Sequence, residues 1–436
     1  MFRSWVLAAC TVALAHTGFA QDTQGLERRI QTLEAKIEQM QKASPSSELS
    51  EVRREIDVLS REIETLKSGQ LKSEVQTDPA SGRYGLGGAA SKVYRSEPGF
   101  AVGGYGDMLY QNYDSRQTST ADLLRAVIYT GYKFNPSVIF NSELEVEHAS
   151  TERGGAVSME FAYLDYLLRP QANLRAGVVL VPMGFVNEQH EPTAYLGARR
   201  PTVEDRIIPT TWSEMGAGVF GDAGSVSYRA YLLTGLDSAG FTSEAGIHEG
   251  KQSGAQAKAG DLAAVVRADW HPLEGTIFGG SAYRGNSGQG RGFGGRVSLG
   301  EVHVESKFRG LSLRALAARG SIGDAGAINL ANGFEGAQSV GKSFGGWYAE
   351  GGYDVASLIS RPSISLTPYV RFERFDTQRS VPAGYDRNPE NNERILTFGA
   401  AFRPIPQTVI KTDWQKITNS AGTGANQFNI ALGYIF

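Results

Sequence analysis

From Gly99 to Phe436 large apolar residues return at every second position, and that period decides the fold class. The stretch QFNIALGYIF shows it most clearly. Phe428, Ile430, Leu432, Tyr434 and Phe436 are large and apolar, while Asn429, Ala431 and Gly433 between them are small or polar. A period of two is the signature of a β-strand with one greasy face. Leu124, Ala126, Ile128, Tyr132 and Phe134 follow the same rhythm against Arg125, Gly131 and Lys133. Val138, Phe140, Leu144 and Val146 alternate with Asn141, Glu143, Glu145 and Glu147, and Leu262 to Trp270 alternate with Asp261, Arg267 and Asp269. Ile364, Leu366, Val370 and Phe372 oppose Thr367, Arg371 and Glu373. Charges on one face of so many strands are solvated in a sandwich, whereas in a barrel of this size they line water. A strand running to Phe436 is expected to close the ring, since closure leaves no free edge to fray.

Sixteen alternating stretches can be marked off, from 100–112 to 426–436, with the fifth at 172–186 and the seventh at 225–237. The connections alternate in length. Short ones fall at Asn135-Pro136, Pro170-Gln171, Asp222 to Gly224, His271-Pro272, Arg309-Gly310, Arg361-Pro362 and Pro404 to Pro406. Long ones span 113–121, 150–157, 187–212, 238–260, 286–295, 320–342, 377–392 and 419–425. Short turns at one end and long loops at the other are the layout of bacterial outer-membrane barrels. The expected fold class is therefore all-β, a 16-stranded antiparallel transmembrane β-barrel preceded by a short α-helical coiled coil.

Composition agrees with a barrel rather than a helical membrane protein. Apolar residues make up 41% and charged residues 20%, and the mean hydropathy of −0.27 leaves no room for a hidden apolar helix. A barrel needs only every second residue to be apolar. Residues 1–20, with Arg3, an apolar core from Trp5 to Ala15 and Gly18-Phe19-Ala20, read as a signal peptide cleaved after Ala20. Leu7 to Cys10 resembles a lipoprotein box, but the apolar run before Cys10 is shorter than a normal core. With the leader gone no cysteine remains, which suits an exported chain without disulfides.

In 21–67, Leu26, Ile30, Leu33, Ile37 and Met40, then Leu49, Val52, Ile56, Leu59, Ile63 and Leu66, step by three and four. These heptads give either one amphipathic helix or a short periplasmic coiled coil, intermolecular or folded back at Pro45. Residues 68–98 lose the period and form a linker or an inward-folded segment, and 99–436 form the barrel.

Sixteen strands enclose an aqueous lumen rather than a packed core. The favoured reading is a passive channel for small anionic or polar solutes. The alternative is a structural tether whose coiled coil binds peptidoglycan or a partner. The third long loop, NEQHEPTAYLGARRPTVEDRIIPTTW, carries Arg199, Arg200 and Arg206 beside Glu188, Glu191, Glu204 and Asp205. Folded inward, it would set acids against bases across a pore constriction and so bias ion passage. Inward strand positions expected to line the lumen are Arg125, Lys133, Glu143, Glu145, Glu147, Arg229, Arg267 and Arg371.

YGLGGAASKVY (84–94), GGYGDMLYQNY (103–113), LVPMGFVNEQHEP (180–192) and RPTVEDRIIPTTWSEMGAGVFG (200–221) together resemble the phosphate-selective porin O/P family. The resemblance spans 84–436 and centres on the third loop. It implies a homo-trimer in the bacterial outer membrane, surrounded by lipid, passing anions such as phosphate through a lumen lined by arginine and lysine. Phe436 resembles the terminal aromatic by which outer-membrane proteins present themselves to the assembly machinery. Thirteen basic and thirteen acidic residues fall in 1–98, which leaves 99–436 slightly acidic at 30 against 33.

Other motifs carry no chemistry. Gly336 to Ser343 spells GxxxxGK[ST], but an alternating strand follows it where a phosphate-binding loop needs a helix. His148-Ala149-Ser150 is like the His-x-Ser of outer-membrane phospholipases, yet 158–169 offers no Asn to orient the imidazole. The six His show no metal-ligand spacing, so neither metal nor cofactor nor catalytic group is expected. No basic stripe points to nucleic acid.

Overall fold

A strand buried on one face and wet on the other stabilises only in a sheet that orients all its neighbours alike, and here the sheet closes on itself. The computed structural model describes residues 82–114, 118–152, 154–359 and 364–436. The expected signal peptide, the coiled coil at 21–67 and the start of 68–98 lie outside these residues. Sixteen antiparallel strands, each paired with its sequence neighbours, form one closed barrel. They are β1 Gly99–Tyr113, β2 Thr120–Lys133, β3 Val138–Glu147, β4 Val157–Arg169, β5 Ala172–Leu180, β6 Ser213–Ala223, β7 Val226–Thr234 and β8 Leu262–Leu273. The second half is β9 Thr276–Gly285, β10 Val297–Phe308, β11 Leu311–Ile322, β12 Ser343–Tyr353, β13 Ser365–Ser380, β14 Asn392–Ile405, β15 Thr408–Asn419 and β16 Gln427–Ile435. The count of sixteen and the alternation of short turns with long loops are those read from the sequence.

β5 ends earlier than the alternation suggests, at Leu180 instead of 186. Pro182 has no N–H to give the ladder, so the chain leaves the sheet there. β1 and β16 close the ring in a register that sets Tyr105 opposite Ile435. The last rung is reciprocal: the Phe436 amide donates to the Gly104 carbonyl at 2.9 Å, and the Gly104 amide to the Phe436 carbonyl at 3.0 Å. A Cβ on Gly104 would lie 2.6 Å from the Phe436 ring, so glycine there makes room for the closing aromatic.

The two faces differ as the period demands. Phe428, Ile430, Leu432, Tyr434 and Phe436 point outward and are exposed, while Gln427, Asn429, Ala431 and Ile435 point inward and are buried. Outward apolar side chains recur around the ring, from Phe100 and Ile128 to Trp270, Val302, Trp347 and Phe398. An apolar belt with every backbone group paired is what a bilayer requires of a spanning sheet.

The lumen is not empty. Residues 82–98 run inside it at the short-turn end, with a single helical turn, α1, at Lys92–Arg95. Leu86, Ala89, Ala90, Val93 and Tyr94 are buried there. The Asn141 amide of β3 donates to the Ala90 carbonyl at 2.9 Å, and the Tyr94 hydroxyl to Asp165 of β4 at 2.7 Å. Arg175 of β5 bonds both Asp165 and the Tyr94 hydroxyl. Lys133 donates to the Ser96 carbonyl at 2.8 Å.

Replacing Phe436 by Glu should lower the yield of folded barrel. The closing strand would lose an apolar ring worth about 1.5–3 kcal/mol when buried in lipid and gain a charge beside it. Heat-modifiable mobility of membranes in gels measures the outcome; wild-type amounts of compact barrel would contradict it.

Candidate functional site

The connection from β5 to β6, residues 181–212, folds into the lumen, and its base shows why. The Asn187 side chain donates to the carbonyls of Val181 at 2.6 Å and Trp212 at 2.9 Å, and accepts from the Trp212 amide at 2.6 Å. One amide thus joins both legs of the loop. Trp212 is fully buried against Tyr283 of β9, with ring centroids 4.8 Å apart. From this clip the chain crosses to the opposite wall through a 3₁₀ turn at Pro192–Ala194 and a short helix, α2, at Thr202–Arg206.

Each buried acid of the loop has a defined partner. Glu188 lies 3.1 Å from Arg229 of β7 and 3.6 Å from Arg267 of β8. Both arginines also bond Asp269, which His303 approaches at 2.9 Å. Glu191 accepts from the amides of Ala89 at 3.0 Å and Ala90 at 3.1 Å, and so ties the loop to the inner segment. Glu204 accepts from the Phe185 and Val186 amides and from the Tyr348 hydroxyl of β12. Burial pushes the Glu204 carboxyl above its usual range, against the pull of those donors. The wall reaches inward as well. Arg371 of β13, which pairs with Glu350 and Glu373, donates to the Arg199 carbonyl. Arg314 and Arg403 donate to the Ala194 and Thr193 carbonyls, and Asp413 of β15 accepts from the Ala198 amide.

Two cavities flank the loop. One of about 490 Å³ opens toward the long loops and is lined by Arg199, Arg200, Arg206 and Asp205 of the loop. Facing them are Arg125, Glu145, Glu147 and Glu160 from β2, β3 and β4, with Lys251, His248 and Glu393. Arg206 pairs with Glu244 at 3.3 Å and approaches Asp205 at 3.8 Å. Arg125 lies 3.6 Å from both Asp107 and Glu145. Arg199 and Arg200 have no carboxylate within 4.0 Å among the described residues; Arg200 bonds the Thr211 hydroxyl and the His190 carbonyl. The second cavity, of about 840 Å³, lies toward the short turns beside β10–β14, away from the inner segment.

The expected residues therefore divide. Arg199, Arg200, Arg206 and Asp205 meet at the long-loop cavity with Arg125, Glu145 and Glu147, whereas Glu188, Glu191 and Glu204 hold the loop in place with Arg229, Arg267 and backbone amides. Glu143 is paired with His190 at 3.0 Å, Arg371 grips the loop backbone, and Lys133 binds the inner segment. Sequence reading passed over Lys411 and Asp413, although both alternate with Ile410, Thr412 and Trp414 and so had to face inward. It also passed over Tyr195, which sits between the two cavities and lines both. Among the described residues no group of His, Cys, Asp and Glu could hold a metal ion.

His190 supplies a pH test. Burial disfavours its imidazolium, but the Glu143 carboxylate and the Asn187 carbonyl outweigh that and raise it from the usual 6.5 to about 9. A raised value stabilises fully below 6.5 and is lost as pH climbs through about 9. Thermal stability should therefore fall between pH 7 and 10 by on the order of 2–3 kcal/mol from this pair. H190Q, uncharged throughout, should show a shallower fall; equal slopes in differential scanning calorimetry would contradict the pairing.

Comparison with known proteins supports the architecture. No family model matches the chain. Over 365 residues it is 34% identical to an uncharacterized protein of Aquifex aeolicus (strain VF5), across 79% of this chain and 82% of that one. Among solved structures, OmpF of Salmonella typhi in complex with daunomycin aligns with a TM-score of 0.51 at 11% identity, covering 77% of this chain and 97% of that one. OmpT of Vibrio cholerae, an outer membrane protein in trimer form, aligns with a TM-score of 0.50 at 10% identity, covering 78% and 100%. At such identities the likeness is one of fold.

Proposed function

The chain belongs to one family with the Aquifex aeolicus protein, and from its closed, charge-lined barrel we propose that it is an outer-membrane porin, a channel for passive diffusion of small solutes rather than an enzyme. The observation that carries this reading is the pair of cavities on either side of the inward loop, inside a wall whose outer face is apolar. A mere anchor has no need of charge-lined open space on both sides of a loop folded into its lumen. In the outer membrane the long loops face the outside and both barrel ends face the periplasm, where the heptads of 21–67 would hang. A homo-trimer, delivered by the outer-membrane assembly machinery, belongs to the same proposal.

The solutes we propose are anions such as phosphate, with a weak preference. Arg199 and Arg200, free of carboxylate partners among the described residues, face the long-loop cavity opposite Glu145, Glu147 and Glu160. Basic groups on the loop and acidic groups on the wall produce a transverse field that sorts ions by sign. The Coulomb energy of an ion about 4 Å from a fixed charge grows from about 1 kcal/mol in bulk water to about 4 kcal/mol at an effective dielectric near 20. The facing acids cancel part of that, which leaves a preference of roughly 1 kcal/mol, or about fivefold in permeability.

In planar bilayers under a salt gradient, neutralising Arg199, Arg200 and Arg206 to Gln should move the reversal potential toward cations by that factor and weaken block by phosphate. Arg319→Gln, on the outward face of β11, should change neither. Unchanged selectivity in the triple variant would remove the anion reading. A folded parent without conductance would remove the channel and favour the tether.

A further inference from the structure

Among the described residues, Tyr195 alone lines both cavities. Its backbone is pinned on each side. Arg403 and Arg314 hold the Thr193 and Ala194 carbonyls, and Asp413 holds the Ala198 amide. Leu196 packs on Tyr369, Ala401 and Val409, and Ala198 on Leu109 and Ala431. The phenol is buried in the main apolar cluster, but its polar anchors are few. Its hydroxyl donates one long hydrogen bond, 3.3 Å, to Asp107 of β1, an acid already engaged by Arg125. Its ring covers the ammonium of Lys411, 3.6 Å from the centroid. That contact is worth about 0.5–2 kcal/mol by type. Lys411 is 1% exposed and has no ion pair within 4.0 Å among the described residues.

We infer that Tyr195 is a movable partition between the two cavities and that Lys411 behind it is the group that receives a small anion when the phenol swings aside. The inference rests on the channel reading above. Rotation about the side-chain bonds needs no shift of the pinned backbone. It exchanges a cation–π contact for a direct ion pair between the ammonium and a passing carboxylate or oxyanion, and the two cavities then join. The same rotation releases Asp107, but that acid stays engaged by Arg125, so the charge newly opened to the lumen is that of Lys411.

Single-channel recording of the full-length protein tests this. Tyr195→Ala should raise conductance by roughly twofold or more and move the reversal potential toward anions. Tyr195→Phe keeps the ring over Lys411 and should stay near the parent. Adding Lys411→Met to Tyr195→Ala should keep the larger conductance and return the selectivity toward the parent. Should Tyr195→Ala not fold, Tyr195→Leu, which keeps apolar packing but not the reach to Asp107, should show an intermediate rise. A parent that conducts and a folded Tyr195→Ala or Tyr195→Leu of equal conductance would overturn the inference while the channel stands. A folded parent and folded Tyr195→Ala that are both silent would overturn the channel reading and the inference with it.

Discussion

The hydrogen-bonded seam between β1 and β16 is the constraint on which everything else depends. Hydrocarbon offers no partner to an open sheet edge, so a spanning sheet must close, and each unpaired edge group would cost several kcal/mol. Closure fixes the inside and the outside of every strand at once, because the side-chain period is two. The large apolar residues are driven outward, and the space left at the centre falls to Asn141, Glu143, Arg175, Arg229, Arg267, Arg371, Lys411 and Asp413. The protein is inverted relative to a soluble one, with its charges within.

Such an interior has its own requirement. A buried charge that loses its partner costs on the order of 3–5 kcal/mol, so inward arginines and carboxylates must find one another or a backbone group. The loop from 181 to 212 supplies those partners. Glu188 neutralises Arg229 and Arg267, His190 answers Glu143, and the Thr193, Ala194 and Arg199 carbonyls take up Arg403, Arg314 and Arg371. Segment 82–98 does the same beside β3–β5. Wall, loop and inner segment are thus one electrostatic unit. Of the open space, one cavity lies above the loop and one below it, with Tyr195 between them.

The strands and most of their inward faces were legible because alternation is a local property: sixteen stretches were read and sixteen are present. Leu124, read as outward, instead lines the long-loop cavity where β2 bulges between Leu123 and Arg125. The end of β5 was misread because Val181 to Val186 keeps apolar character past Pro182, where the ladder must stop. The loop acids could not be sorted by sequence. Glu188, Glu191 and Glu204 look like solvated loop charges, yet Glu191 is bonded to amides 101 and 102 residues away. Glu373 meets the Val203 amide across 170 residues. Non-local pairing of this kind leaves no periodic trace. Lys411 was passed over although its alternation with Ile410 and Thr412 marks it as inward, and its cover by Tyr195 arises only from the path of the loop.

The central claim is that residues 181–212 lie inside the barrel and reach its far wall. Ala198 of the loop and Ala431 of β16 pack in one cluster, and the sequence's single cysteine, Cys10, sits in the expected leader. In the double variant Ala198→Cys, Ala431→Cys, oxidation or a short bis-thiol reagent in isolated membranes should join the two positions within one chain, as read by mass spectrometry of the digested barrel. Two free thiols, with the cysteine at 198 open to a bulky membrane-impermeant maleimide, would place the loop outside the lumen and contradict the account.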